Sequence, residues 1–219
     1  MVKVKRSFPA PNSLKEEAQK INGSYNGKDV VSRLREDFHD KCYICEMKGL
    51  SDPEVDHLLP HKGRKYPERV FDWNNLFLCC RHCNQVKNKN KYDDGIIDCC
   101  KQDPEKLLTF YIQEDAVSVK TVDAEDVKAE LTAELINETF NMRNSGIREA
   151  ACEKRIEQLN INMNLLYKEL DKYKKFPDTN ISRRALKAML RRDSAFAAFK
   201  RNYVRERLTE YPQLKEWLE

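Results

Sequence analysis

The chain has 219 residues, of which 40% are hydrophobic and 35% are charged, and its formal net charge is +4. Its mean hydropathy is -0.79, and no apolar run approaches the ~20 residues that span a bilayer, so we expect no membrane association. No apolar stretch follows the basic N-terminus, so we expect no signal peptide. Eight cysteines in this context favour a reducing cytoplasm and metal binding over disulfides.

The charge is distributed unevenly. Residues 61–91 hold eight basic and two acidic side chains, a net charge of +6. Residues 92–140 hold four basic and thirteen acidic side chains, a net charge of −9. The basic segment would attract a phosphate backbone. The acidic segment is either a solvated face or a surface for a protein partner.

Two short helices are predicted ahead of the first cysteine pair. A capping-box pattern at residues 13–16 opens the first helix, and Asp29 is a candidate N-cap for the second. Three further elements follow the pair: a strand at residues 54–59, a second apolar element at 73–78 and a helix at 81–89. Their order is that of a ββα unit.

Four cysteines form two CxxC pairs: Cys42, Cys45, Cys80 and Cys83. Two CxxC turns can bring four thiolates to the distances of tetrahedral zinc, so we predict a structural Zn²⁺ ion here. Such a site contributes folding free energy to a unit that lacks a core of its own. The other four cysteines break this spacing, and we interpret them as small apolar or half-exposed residues.

A β-hairpin and then helices are predicted for the second half of the chain. Two β-rich runs, residues 109–112 and 117–120, are separated by four residues. The pattern turns helical from about residue 124, and apolar residues spaced three and four apart define a seam: Ile156, Leu159, Met163, Leu166, Leu170 and Tyr173. We interpret this seam as the core of a helix bundle rather than as a dimer interface.

The helical pattern breaks at residues 176–180, and a basic helix then extends from residue 182 to about 208, with a candidate second cap at 193–194. These elements predict an α+β fold that is mainly helical. A central zinc-stabilised ββα-metal finger has helices before it and a C-terminal helical bundle after it. We place the domain boundary between residues 1–123 and residues 124–219.

Further polar residues lie between and after the cysteine pairs. They are Asp56-His57-x-x-Pro60, then Asn75-Leu76, then Asn84-x-x-Lys87 directly after Cys83. This series resembles the motif of HNH endonucleases with a cysteine-flanked ββα-metal finger. Residues 66–77 and 193–199 are similar to the PtuB-type HNH subunit of Septu anti-phage systems, whose relatives also serve as retron effectors.

The resemblance implies hydrolysis of nucleic-acid phosphodiester bonds. His57 is the natural general base, because its reference pKa of ~6.5 lies near working pH. Asn75 would hydrogen-bond near His57 and orient the ring, and the neighbouring Asn74 is the alternative for that role. Asp56 stands at the family position that ligates the catalytic cation.

Asn84 departs from the family name, because it stands where the second His is expected. An amide oxygen is a harder ligand than imidazole, so Asp56 and Asn84 together favour Mg²⁺ or Mn²⁺ over zinc. Arg81, Lys62 and Lys87 are candidate contacts to substrate phosphates. For Lys87, a solvated position on the helix is the alternative.

DNA is the default substrate, and RNA, including tRNA, is the alternative because the mechanism makes no use of a 2′-hydroxyl. The PtuB-type resemblance implies a PtuA-like ATPase of the ABC/SMC class as partner and, for retron effectors, a retron RNA–DNA complex. The sequence itself contains no Walker A pattern. Two other functions stay open: a non-catalytic zinc module that binds nucleic acid, and a structural subunit that assembles through its C-terminal half.

Overall fold

The computed structural model describes residues 1–113, 115–177 and 180–219. In this part of the chain the protein is an α+β fold, about half helical, with two small antiparallel sheets. The predicted α+β class is therefore confirmed. None of the helices in these ranges combines the length and the hydrophobicity that a membrane crossing needs.

Helices dominate the described residues. The α-helices are α1 (Asn12–Glu17), α2 (Lys28–Asp37), α3 (Arg81–Lys87), α4 (Pro104–Leu107), α5 (Val127–Asn141), α6 (Gly146–Lys175), α7 (Asn180–Leu190) and α8 (Ala197–Arg205). The two helices predicted before the cysteines are present, but their predicted caps are wrong. Helix α1 already begins at Asn12, and Asp29 lies inside α2. The Asp29 carboxylate instead accepts hydrogen bonds from the Ser13 hydroxyl at 2.6 Å and the Ser13 amide at 3.2 Å, which fastens α1 to α2.

The first sheet leads directly into a helix. Strands β1 (Pro53–His57) and β2 (Leu76–Cys80) pair antiparallel, with His57 opposite Leu76. Helix α3 starts at the residue that follows β2. The predicted order of strand, second element and helix is therefore observed, although the first strand is shorter than predicted. All five residues of β2 are buried, so this strand lies in the core.

The second sheet is the predicted hairpin. Strands β3 (Leu108–Gln113) and β4 (Ala116–Thr121) pair antiparallel, and α5 packs on β4. Two asparagines of α5 bind the edge of β4: Asn137 and Asn141 each exchange a pair of hydrogen bonds with its backbone at 2.7–2.9 Å. Glu114, in the connection between the strands, lies outside the described residues.

The apolar seam of α6 is internal, as predicted. Its six residues, Ile156, Leu159, Met163, Leu166, Leu170 and Tyr173, are all buried and belong to the hydrophobic core cluster. Helix α6 contacts α5, α7 and α8 along this face. The seam therefore contributes to the core of one chain.

The basic C-terminal segment forms two helices, with an interruption that includes the predicted position 193–194. Helix α6 ends at Lys175 and α7 begins at Asn180, while residues 178 and 179 of the predicted break lie outside the described residues. The predicted interruption at 193–194 separates α7 from α8. The predicted cap there is wrong, because α8 is preceded by Phe196 in a left-handed conformation, with φ 50° and no side-chain cap. Glu46 replaces the cap, since its carboxylate accepts from the Ala198 amide at 2.9 Å.

A buried ion cluster joins residues on the two sides of the predicted domain boundary at residue 123. The boundary itself stays a prediction. Glu105, in α4, pairs with Arg201 at 2.6 Å, Arg192 at 2.8 Å and Arg205 at 3.0 Å. The side chains of Glu105 and Arg201 are only 2% and 3% exposed. Removing one member of such a cluster leaves an uncompensated buried charge.

We expect Glu105→Gln to lower the free energy of unfolding by about 3–5 kcal/mol, because Arg201 loses its buried counter-ion. Urea unfolding followed by circular dichroism measures the change. Glu210→Gln is the matched control, because Glu210 forms one solvent-exposed pair with Lys174 and its loss should have little effect. Equal effects of the two substitutions would contradict a stabilising role for the cluster.

Candidate functional site

The two predicted CxxC pairs converge into one buried cluster. The Sγ atoms of Cys42, Cys45, Cys80 and Cys83 all lie within 4.8 Å of one another. Four thiolates at the Zn–S distance of about 2.3 Å would be separated by roughly 3.8 Å in a tetrahedron, and Cys45 and Cys80 are 3.9 Å apart. The donor set and its spacing therefore fit a zinc ion, as the sequence predicts.

Backbone structure on both sides presents these thiolates. On the first side a tight turn forms, in which the Cys42 amide donates to Met47 at 3.0 Å and the Glu46 amide donates to Cys42 at 3.0 Å. Glu46 has a left-handed φ of 62° within this turn. On the second side, Cys80 ends β2 and Cys83 lies in the first turn of α3. A metal here therefore links the turn to the junction of β2 and α3.

An arginine from α6 reaches the same cluster, and the sequence analysis missed it. Nη2 of Arg155 donates to the Cys80 thiolate at 3.1 Å, and Arg155 is 6% exposed. Four thiolates around Zn²⁺ carry an excess negative charge, which a buried guanidinium offsets. The available signal was a charged residue directly beside Ile156 in an apolar seam.

Two close neighbours stand outside the four-thiolate group. Cys79 has its Sγ 3.8 Å from that of Cys42, and burial raises the pKa of the Cys79 thiol to about 12, so this thiol stays protonated. His82 lies between Cys80 and Cys83, but its Nε2 is 3.1 Å from the Thr139 carbonyl. Burial and the charge of Arg155 lower the pKa of His82 to about 4. His82 therefore joins α3 to α5 as a neutral ring.

His57 is the last residue of β1, and its ring is held by the backbone. Its Nε2 lies 3.0 Å from the Val70 carbonyl, which can only accept, so we assign the proton to Nε2 and the basic lone pair to Nδ1. Tyr25 and His61 pack edge-on against the ring, with centroids 4.5 and 4.6 Å away. Burial lowers the pKa of His57 below 6.5, although the Val70 carbonyl opposes this shift. The ring is therefore neutral at pH 7, as a general base must be.

Asn75 makes its hydrogen bonds to the loop beside His57 and not to the imidazole itself. Its Oδ1 accepts from the Leu59 amide at 2.8 Å, and its Nδ2 donates to the carbonyls of Leu59 and Arg69 at 2.9 and 3.0 Å. This clamp fixes both ends of the loop that leads to Val70. Asn74, the alternative, is exposed and donates to Asp72 at 3.2 Å.

Lys87 is buried and paired, which contradicts the solvated alternative, while its predicted contact with substrate phosphate stays a prediction because Lys87 lines the cavity. Its Nζ lies 3.2 Å from each carboxylate oxygen of Asp56 and 2.7 Å from the His57 carbonyl. The Tyr43 hydroxyl also donates to Asp56, at 2.5 Å. Asp56 and Lys87 are 6% and 7% exposed, so they form a buried ion pair.

Asn84 lies on α3 and is oriented by β1. Its Nδ2 donates to the Glu54 carboxylate at 2.7 Å, which leaves the amide oxygen on the other branch of the side chain. Glu54 precedes Asp56 by two residues, so both side chains leave β1 on the same face. The sequence analysis missed Glu54, although this spacing was visible.

One cavity of about 320 Å³ brings most of the predicted site together. Its lining includes Asp56, His57, Asn84, Lys87 and Lys62, whereas Asn75 and Arg81 are not part of it. The site is therefore formed by the end of β1, the side of α3 that carries Asn84 and Lys87, and the loop between the strands.

Lys62 and Arg81, the two other predicted phosphate contacts, differ in how exposed their side chains are. Lys62 is on the cavity and pairs with Asp93 at 2.5 Å, with its side chain 38% exposed. Lys62, Gly63 and Arg64 have left-handed φ values of 48°, 62° and 68°, so this edge of the cavity is a tight turn. The side chain of Arg81 is 68% exposed and 3.9 Å from Glu54, so it is accessible to a ligand.

The oxygen donors of Asp56 and Asn84 suit Mg²⁺ or Mn²⁺. The ammonium of Lys87, however, already neutralises both oxygens of Asp56. A divalent cation therefore fits by the chemistry of the donors and would have to displace Lys87 from Asp56.

No protein-family model matches the chain, and no curated protein matches it either.

We expect Arg155→Met to weaken zinc binding by about 10–100-fold, because the thiolates lose their buried counter-charge. Competition with a chromophoric chelator measures zinc affinity. Lys154→Met is the matched control, because Lys154 is its exposed neighbour on α6. If both variants release zinc like the parent protein, Arg155 does not support the metal.

Proposed function

We propose that this protein is a metal-dependent HNH-type nuclease that hydrolyses phosphodiester bonds. The observation that carries the proposal is the pairing, on one cavity, of a neutral His57 with Asp56 and Asn84. The sequence of β1, β2 and α3 beside a four-thiolate site supports a ββα-metal finger. Mg²⁺ or Mn²⁺ is the proposed catalytic cofactor, and Zn²⁺ is structural.

The chain's own residues supply the base and its orientation. His57 accepts a proton at Nδ1 from a water molecule, whose oxygen forms the new bond to phosphorus. The P–O3′ bond breaks, and the leaving oxygen takes a proton from solvent, which gives 5′-phosphate and 3′-hydroxyl ends. The Val70 carbonyl and the Asn75 clamp hold the ring in place for this transfer. A cation held by Asp56 and Asn84 would stabilise the charge that develops on the phosphate.

The biological setting is proposed from the sequence resemblance alone. The PtuB-type likeness supports an effector of anti-phage defence that acts with a PtuA-like ATPase, or with a retron RNA–DNA complex. DNA is the default substrate, with RNA or tRNA as the alternative. Because the sequence lacks a Walker A pattern, any ATP dependence would come from the partner.

A non-catalytic zinc module that binds nucleic acid is the second candidate, and one observation favours it. The Lys87 ammonium neutralises Asp56, which the nuclease needs for its cation. If Lys87 never leaves, Asp56 holds no divalent cation and the site cannot hydrolyse a phosphodiester by this route, whereas the exposed Arg81 can still contact a phosphate. The two functions therefore differ in whether divalent cations bind at Asp56.

His57→Ala is expected to lower cleavage by about 10²–10⁴-fold, because the general base is lost. The assay presents total cellular DNA and RNA in Mg²⁺, with and without the ATPase encoded beside this protein, and identifies the product ends. His61→Phe is the matched control, because it removes another imidazole from the same cavity while keeping an aromatic ring against His57. Retained cleavage in His57→Ala, or cyclic phosphate ends, would contradict the proposal.

Lys87→Met tests the cation site without a cleavage assay. Without added divalent cations we expect a loss of about 3–5 kcal/mol in stability, because Asp56 is left buried and unpaired. Mn²⁺ at about 100 times its Kd should restore roughly 2.7 kcal/mol. Thermal unfolding of the zinc-loaded protein measures both effects.

Lys89→Met is the control for that experiment, since Lys89 follows the same helix but forms a partly exposed pair with Glu138. It should lose little stability and gain no more from Mn²⁺ than the parent protein. If Mn²⁺ shifts all three proteins equally, Asp56 is not a cation site and the binding module is favoured.

A further inference from the structure

A second basic depression, here called the N-terminal groove, lies apart from the cavity at His57. It has a volume of about 570 Å³ and shares no lining residue with the first cavity. Five of its lining side chains are basic and one, Asp98, is acidic. Nothing in the proposed nuclease chemistry uses this groove.

The N-terminal segment provides two of its cations through an extended pattern. Val2 and Val4 are buried, whereas the alternate residues Lys3 and Lys5 are exposed. The Val4 amide donates to the Cys99 carbonyl at 2.9 Å, which fixes the segment against the core. Because alternate residues of an extended chain share a side, Lys3 and Lys5 are about 6.7 Å apart along one edge.

Arg6 contributes a buried cation with an unused donor. It is 9% exposed, and its guanidinium lies 4.8 Å from the ring centroid of Phe77 and 4.9 Å from that of Trp73. Nη2 donates to the Leu76 carbonyl at 2.8 Å, but Nη1 has no hydrogen-bond partner among the described residues. A buried polar group without a partner is costly. Arg6 lines the groove, so its charge attracts an anion that enters there.

The other cations differ in how far they are already neutralised. Arg192 is paired with Asp103 and Glu105, and Lys101 lies 3.3 Å from Asp98. In the described part of the chain, Lys3 and Lys5 have no carboxylate within ion-pair distance. The groove therefore keeps a positive charge at Lys3, Lys5 and Arg6 that an incoming anion can meet.

We propose that the N-terminal groove binds backbone phosphates of a nucleic-acid strand, on the other side of β2 from His57. Arg6 binds the carbonyl of Leu76, and Leu76 is the register partner of His57. The groove also includes Asn74, the neighbour of the Asn75 clamp. A row of separated lysines beside a buried arginine suits a chain of phosphates better than one compact anion.

The choice of a nucleic-acid strand rests on the proposed function, whereas the anion site itself does not. The test is therefore a binding measurement in the His57→Ala background without divalent cations, so cleavage has no influence on it. Fluorescence anisotropy follows labelled single-stranded DNA and RNA oligonucleotides over a range of salt concentrations. Zinc content and thermal unfolding confirm that each variant is folded.

Lys3→Gln with Lys5→Gln is compared with Lys128→Gln and Lys154→Gln, two exposed lysines elsewhere on the chain. We expect the first pair to weaken binding several-fold and to reduce the slope of log K against log salt by about 1.4, since each lost phosphate contact with a single strand removes roughly 0.7. The control pair should bind like the parent.

Equal binding by the two double variants would overturn the proposal. So would unchanged oligonucleotide binding together with lost binding of ATP or pyrophosphate, because that result identifies a site for a small phosphate compound. A parent protein that cleaves neither DNA nor RNA, with or without the ATPase encoded beside it, would defeat the nuclease proposal and leave this comparison unaffected.

Discussion

The four-thiolate centre is the constraint on which the rest of the structure depends. Zinc held by Cys42, Cys45, Cys80 and Cys83 would join a tight turn to the junction of β2 and α3. A two-stranded sheet is marginal in isolation, so the position of β2 requires such support. Since β1 pairs with β2, the same centre determines where His57 meets α3 and therefore whether the cavity exists.

The C-terminal helices enclose this centre instead of forming an appendage. Arg155 from α6 contacts Cys80, and the first cysteine turn is fastened from the other side by Lys41, which donates to the carbonyls of Arg192 and Ser194. Glu46 satisfies the start of α8. These contacts bury the thiolates and couple the metal centre to the folding of the helices. A change in the helices can therefore alter the cavity without touching it.

Local patterns made much of this fold predictable. The CxxC pairs, the hairpin and the α6 seam are short-range signals, and each is found where the sequence predicts it. The nuclease site stays a prediction. Of the five predicted residues that line the cavity, all except Lys62 belong to the HNH-like motif.

Residues whose role depends on distant partners were not predictable from local pattern. Lys87 looked like a surface lysine, because only the folded chain reveals that α3 turns it onto Asp56. Asn75 acts through Leu59 and Arg69, which are brought near it by the loop. The predicted cap of α8 was wrong for the same reason. The group that accepts from the Ala198 amide is the carboxylate of Glu46, which is far away in sequence.

The most direct test is of the metal centre on which the cavity depends. Zinc-edge X-ray absorption of the purified protein, together with its metal content, reports the identity and distance of the ligands. We predict one zinc ion per chain, surrounded by four sulfur atoms at about 2.3 Å. A shell that contains nitrogen or oxygen, or a fully folded protein without bound metal, would contradict the role assigned to the four cysteines.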